Sequence, residues 1–482
     1  MTVWLTCLVA CHSVSQLPAE QGEAKDSKSS DARPRVSTAA DWVAEHISGN
    51  VSPIELSEEL TPFVEDKALA DIADAPGVHV LNGTQSVDTN LLIGAQTTVV
   101  FMSGTTLQLA PDKTLESKGQ IIALGKESDP VVITSAGRYK TLRLMGGYSA
   151  FYHSTFSRGD DLLTVEGTQA AEQRIEACRF DHWTEVAIRF VDADGLTITD
   201  SKFGLESEDE KHGECLNGKS SAVRISHSTF GRMTGYSDAM DLENCQSTNP
   251  PVIMGNYLMG GQDDGIDLDN CDAVVASNVI RDFWPENPEV PFKGVNGGGI
   301  TGHNSSPFLI NNIVLNCFHG IGFKNGARPV LVNNTVIDGN IGITLYRTNS
   351  DYKDPHGVLV NNIVTGNVAF DTGSHQDLVL NGRWWPSYDP TEGDQATAEL
   401  HHNLFGTDHG GPTDLVGSVA FTWLHNLPYP PSGSIAEAAG LSLPIATSNF
   451  PPADLTHHYA TDQSGRDRDL DQPTVGALEV HP

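Results

Sequence analysis

Two near-copies of one acidic phrase stand 26 residues apart in the chain: Ser237-Asp238-Ala239-Met240-Asp241-Leu242-Glu243-Asn244-Cys245 and Asp263-Asp264-Gly265-Ile266-Asp267-Leu268-Asp269-Asn270-Cys271. Together they concentrate seven carboxylates, Asp238, Asp241, Glu243, Asp263, Asp264, Asp267 and Asp269. Such a group repels itself at close range unless it is hydrated or shared by a cation. Ca²⁺ suits it, because that ion takes six to eight oxygens at about 2.3–2.6 Å and tolerates irregular geometry. If Met240, Leu242, Ile266 and Leu268 point inward on strands, then Asp241, Glu243, Asp267 and Asp269 share the outer face. Asp238, Asp263 and Asp264 then sit at the preceding bend. The expected ligands are Asp238, Asp263, Asp264 and Asp267, with Asp241 in reserve; the plainer reading is a solvated acidic turn.

Basic and aromatic residues follow at matching intervals. The segments Gly299-Ile300-Thr301-Gly302-His303, Gly320-Ile321-Gly322-Phe323-Lys324 and Gly342-Ile343-Thr344-Leu345-Tyr346-Arg347 continue the outer column above Asp269 as His303, Lys324 and Tyr346. A cation flanked by His303, Lys324, Tyr346 and Arg347 suits an anionic sugar, with His319 as a further contact. The Phe283–Asn296 insertion, which carries Trp284, Lys293 and three prolines, would overhang this face as a wall. Taken singly, each of these residues reads as ordinary surface decoration on a solenoid.

What must position them is a stack of coils. From Gly77 onward, short alternating apolar runs are separated by Gly, Asn, Asp or Ser clusters, the pattern of strands. A six-residue signature then recurs, apolar-x-x-(Ser/Asn/Cys)-x-apolar, with fourth positions at Ser154, Cys178, Ser201, Ser228, Asn256, Asn278, Asn312, Asn334, Asn362 and Asn403. Each unit is too short to bury its own apolar face, so the units must stack, with equivalent residues about 4.8 Å apart. An Asn column at a turn would then satisfy its amides from coil to coil. The expected fold is all-β, a single right-handed parallel β-helix solenoid. Cys245 and Cys271 would lie on adjacent coils, as a disulfide or as a buried thiol pair.

The chain has 482 residues and a net charge of −33, which argues against nucleic acid as a partner. Its 46 Gly and 26 Pro lack a strict period and suit a turn-rich β protein. No apolar run reaches membrane-spanning length. Leu8-Val9-Ala10-Cys11 resembles a bacterial lipobox, which predicts export and a lipid anchor at Cys11. Residues 1–39 read as this leader and a disordered tether. Residues 40–76 have helical spacing and read as an N-terminal cap over the open end of the stack. Residues 77–405 form the β-helix, and 406–482 form a C-terminal cap or loop segment. A monomer is expected.

The coil pattern from about 91 to 405 resembles the pectate-lyase-like superfamily of right-handed parallel β-helices. Asp238 followed one coil later by Asp263-Asp264-Gly265-Ile266-Asp267 is similar to the calcium site of family-nine pectate lyases. Those enzymes carry their base in a G-F-K turn one coil above the acids. Here Gly322-Phe323-Lys324 stands two coils above, with Thr301 in the intermediate place. The wording also resembles bacterial β-helix proteins, some joined to spore-coat-type kinase domains. Asp462, Gly465, Arg468 and Val475-Gly476-Ala477-Leu478-Glu479 resemble the closing segment of exported β-helix proteins.

The resemblance implies a Ca²⁺-dependent lyase acting by β-elimination on a uronate-containing, acidic polysaccharide. A neutral Lys324, His303 or Lys293 would remove the proton, and Tyr346, Arg347, His319 and Trp284 would hold the sugar. Two other readings stand beside it. One is a glycoside hydrolase using Asp241 and Asp264 as its carboxylate pair. The other is a non-catalytic, glycan-binding surface rod in which Ca²⁺ stiffens a coil.

Overall fold

A computed structural model describes residues 38–47, 58–167, 172–204, 213–235, 237–245, 249–286, 297–348, 350–369, 373–380, 395–424, 427–432, 434–437, 439–440, 460–468 and 473–479. Cys11 and its leader, Lys293 and most of the proposed wall lie outside these residues. Short strands pair in parallel with the equivalent strands of the coils before and after them. One face is a 13-stranded parallel sheet running from Gly77–Leu81 to Thr397–His401. Two further ladders close the coil, and the chain is a right-handed parallel β-helix. Among the described residues, no helix is long and apolar enough to cross a membrane.

The interior explains the recurring signature. Its apolar first and sixth positions enter one continuous core, in which Phe156, Phe180, Phe203 and Phe230 stack at centroid separations of 4.8, 4.7 and 4.6 Å. Its fourth position is the expected ladder. The Nδ2 groups of Asn256, Asn278, Asn312, Asn334 and Asn362 each donate to the Oδ1 of the next Asn at 2.9–3.0 Å, ending at Asn403. Each amide also reaches a backbone carbonyl two coils away from its acceptor, as Asn334 does at Leu309 O, 2.9 Å. These six side chains are essentially inaccessible, so the column is structural.

Two segments seal the stack. Leu69 and Ile72, in the short Leu69–Ile72 helix, join the interior core at its first coil. The longer Ala39–Ile47 helix instead buries Trp42 on the outside of the 13-stranded sheet, against Val80, Val100, Ile122, Tyr148 and Tyr152. At the other end, Val475, Ala477 and Leu478 cover Ile313, Ile337 and Ile363 on the outer side of a second ladder. Arg468 fastens this closing segment. Its buried guanidinium pairs with Glu479 at 3.0 Å and donates to Asn311 Oδ1, Gly476 O and Ala477 O.

Candidate active site

The third ladder carries the acidic phrase. Its successive strands are Glu214–Lys219, Met240–Glu243, Ile266–Asp269, Gly298–His303, His319–Lys324 and Ile341–Tyr346. Met240, Leu242, Ile266 and Leu268 are buried, and Asp241, Glu243, Asp267 and Asp269 lie outward and half-buried, as period-two alternation predicts. The strands end in residues that accept a left-handed backbone. Asn244, Asn270, Asn304 and Asn325 have φ of 53, 51, 50 and 56°, and each N–H bonds a carbonyl of the next coil. This repeated bend places the last outward residue of every strand in one column.

That column reads Lys219, Glu243, Asp269, His303, Lys324, Tyr346. Tyr346 takes its predicted place although a longer interval follows it. A second outward column reads Asn217, Asp241, Asp267, Thr301, Gly322, Thr344. Gly322 leaves a notch there: a Cβ would lie 3.4 Å from the Thr344 methyl, 3.8 Å from that of Thr301 and 4.0 Å from the His319 Cβ. The notch is bounded by acids below and by His319 and Lys324 beside it.

At the strand entrances, oxygens of Asp238, Asp263 and Asp264 lie within 4.8 Å of one another, and so do those of Glu214, Asp238 and Asp241. Asp238 belongs to both groups. Asp263 and Asp264 are only 4% and 2% exposed, so water screens neither well. Asp264 is held on three sides. Gly298 N–H donates to its Oδ1 at 2.7 Å, Thr301 Oγ1 to its Oδ2 at 2.7 Å, and its own N–H donates to Asp238 Oδ1 at 2.8 Å. Thr301 also reaches Asp267 Oδ1 at 3.0 Å. Gly298 must be glycine, since a Cβ would fall 2.2 Å from Thr301 Cγ2 and 2.6 Å from Asp264 Oδ1.

Burial and mutual repulsion push these acids toward their neutral forms. Burial, then Asp267, raises Asp241 to about 8 and Asp264 to about 7, although Thr301 and Lys324 pull the latter down. Asp269 is raised to about 6 by burial and Asp267, and Asp238 is raised well above the carboxylate range by burial, Asp263 and Asp264. Lys324 shows the opposite balance. Burial lowers its ammonium, but Tyr346, Asp267, Asp269 and Asp264 together hold it above the usual lysine range. His303 is lowered by burial and then by Lys324, and its ring meets Tyr352 edge-on at 5.2 Å.

The structure thus gathers Asp238, Asp241, Asp263, Asp264, Asp267, His303, Lys324 and Tyr346 on one face. His319 is buried and in register with Gly298, at the entrance of the next strand. Arg347 is engaged by Asp354 at 3.2 Å, so its charge is already matched. The Trp284 indole N–H donates to Asn316 O at 2.6 Å and its ring packs edge-on against Phe318. By contrast, Lys324 makes no ion pair among the described residues. Sequence reasoning missed Glu214 and Tyr352. Glu214 lies in Gly213-Glu214-Cys215-Leu216-Asn217, which lacks the acidic phrase; counting the register back from Met240 to Leu216 reveals it.

Residues 216–382 match the family model described as "Right handed beta helix region". No curated protein matches the chain in sequence. Among solved structures, the chain is similar to a PL6 family polysaccharide lyase from Pseudopedobacter saltans, with 12% identity, 77% of this chain and 96% of that one covered, and a TM-score of 0.47. It is also similar to pectate lyase Pel9A, with 15% identity, 86% and 90% covered, and a TM-score of 0.35. The periplasmic alginate epimerase AlgG gives 14% identity, 72% and 82% covered, and a TM-score of 0.28. The architecture itself stands on the strand register described above.

Proposed function

We propose that the protein is an exported polysaccharide lyase that cleaves a uronate-containing glycan by β-elimination, with Ca²⁺ at the acidic cluster. The observation that carries this reading is the shared face. Coils bearing clustered carboxylates lead directly into coils bearing His303 and Lys324, which makes no ion pair among the described residues, with Gly322 beside them.

The donor set fits the ion: several oxygens from Asp238, Asp263, Asp264 and Asp267, with Asp241 and Glu214 adjoining, crowded where burial already disfavours their charge. Bound there, Ca²⁺ supplies Lewis acidity that draws electron density from the sugar carboxylate and acidifies the proton on the neighbouring carbon. Lys324 is the base in this scheme. Sharing Asp264 and Asp267 with the ion would remove two of the charges that raise its ammonium, while burial, the largest influence on it, still pulls it down. His303 stands beside it as the alternative base, and Tyr346, one coil above Lys324 in the same column, is the proposed proton donor to the leaving oxygen.

Ultraviolet absorbance on pectate, alginate and glycosaminoglycans, with Ca²⁺ or with chelator, tests the proposal. β-Elimination leaves an absorbing unsaturated uronate, whereas hydrolysis and binding leave none. A Ca²⁺-dependent rise that disappears in Lys324→Ala and Asp264→Ala supports the reading. A flat trace with the wild-type protein across the panel refutes it.

A further inference from the structure

A basic cavity opens on this otherwise acidic chain. Gly137, Arg138, Arg158 and His182 line a volume of about 350 Å³, with no carboxylate among the described lining residues. Arg138 Nη1 donates to the His182 carbonyl at 3.0 Å and so spans from its own coil to that of His182. Arg158 and His182 are register neighbours, because the pairs Ser157↔Asp181 and Gly159↔Trp183 flank them. The nearby acids Asp160 and Glu185 face Lys140, at 3.1 and 3.5 Å.

Local backbone preference does not explain the arginine at 158. Arg158 and His182 hold φ of 61 and 57°. Most described non-glycine residues at positive φ are Asn or Asp, which tolerate that region, and Arg158 is the one arginine. A long side chain there costs about 1 kcal/mol or more. The bend therefore spends conformational energy to present a guanidinium.

The cavity also lies along the edge of the acidic cluster. The bends at 158–160 and 182–185 lead into outer-face strands just as those bearing Asp238 and Asp264 do, and the register runs Asp161, Val186, Glu214. Four coil spacings separate Arg158 from Asp264, roughly 19 Å at about 4.8 Å each. An extended 1,4-linked pyranose chain advances by a similar step per sugar and, where it is two-fold, turns alternate carboxylates to one face, so sugars four apart present theirs to the same side.

We propose that this cavity is a second anion site, which binds a carboxylate of the same acidic glycan roughly four sugars from the acidic cluster. The proposal rests on the polyuronate reading for its ligand, not on the elimination chemistry. Calorimetric titration of the full chain tests it, in the Lys324→Ala background with Ca²⁺ present, using a uronate trimer, a uronate octamer and a neutral glucan of octamer length. Arg158→Gln is expected to weaken octamer binding by about tenfold, the scale of one charge-assisted hydrogen bond, and to leave trimer binding unchanged. Arg158→Lys, which keeps the charge, should recover most of the loss. Unchanged octamer affinity, equal loss for trimer and octamer, tight binding of the neutral glucan, or no octamer binding at all would each overturn the site. Octamer binding that depends on Arg158 in a protein that never eliminates would leave this site standing and remove only the lyase assignment.

Discussion

Asp264→Asn should stabilise the metal-free protein, and by more at pH 8 than at pH 5. Asp264 is raised from 3.8 to about 7 and is 2% exposed, so the folded state holds its proton more tightly than the unfolded chain does. The sign follows from linkage. A group raised in the folded state contributes stability that is complete below its unfolded pKa and lost as pH rises through the folded value. For Asp264 that window is pH 4 to 7, and for Asp241, raised to about 8, it extends one unit further. Roughly three pKa units at 1.36 kcal/mol each give an upper limit on the order of 4 kcal/mol for Asp264 alone. Asp241 adds less, because solvent screens its half-exposed carboxylate. Asn is neutral at every pH and can still accept from Gly298, so it removes the titration with little change in shape. Urea unfolding in chelator at pH 5, 6, 7 and 8 reads the effect. The wild type should lose stability across this series, the variant, which keeps Asp241, should lose less, and the gap between the two curves should widen up to about pH 7. Saturating Ca²⁺ should flatten the wild-type curve, because carboxylates shared with a cation no longer need protons. Wild-type stability in chelator that stays constant or rises from pH 5 to 8 would refute the reasoning, and with it the idea that repulsion in this cluster is unrelieved.

Other outcomes follow from the same coordinates. Asn334→Ala removes donors to Leu309 O and Asn362 Oδ1 and an acceptor for Asn312, so urea unfolding should register about 3–5 kcal/mol of destabilisation. Cys245 and Cys271 form a disulfide that closes a 26-residue loop between the two acidic coils. The Cys245→Ser, Cys271→Ser double variant should lose about 3 kcal/mol and bind Ca²⁺ more weakly in a calorimetric titration. Arg468→Met strands Glu479 and opens the closing segment, at a cost of about 3–5 kcal/mol and with earlier proteolysis near residue 460, read by limited digestion.

The coil architecture was legible because each coil repeats one local rule. An apolar residue, two free positions and an Asn recur at an interval set by the coil, and the Asn ladder and phenylalanine stack are what that rule makes in three dimensions. Most of the outer column was legible for the same reason: Asp269, His303 and Lys324 each precede a left-handed Asn, whereas Tyr346 precedes Arg347 and takes its place by register alone. What escaped the sequence lacks a repeating spacing. Glu214 joins the acids only through pairing of Leu216 with Met240, and Arg347 meets Asp354 from within an insertion. The helix at Ala39–Ile47 follows the predicted periodicity, but its spacing does not say whether Trp42 faces the end of the stack or its flank.

A solenoid answers local repulsion only locally. Stability in such a fold is nearly a sum over neighbouring coils, so a strained pair cannot draw on packing several coils away. The acidic coils of this protein stack carboxylate on carboxylate, Asp241 on Asp267 and Glu243 on Asp269. The compensation lies on those same two coils: Cys245–Cys271 covalently joins them two residues beyond the stacked acids, and Asn256 to Asn278 ties them on the opposite side of the coil. A covalent bond and a buried amide bond hold fixed what electrostatics would part. That arrangement keeps the acids close enough to share a cation whether or not one is bound, so the cost of preorganisation is met in folding and not again in binding.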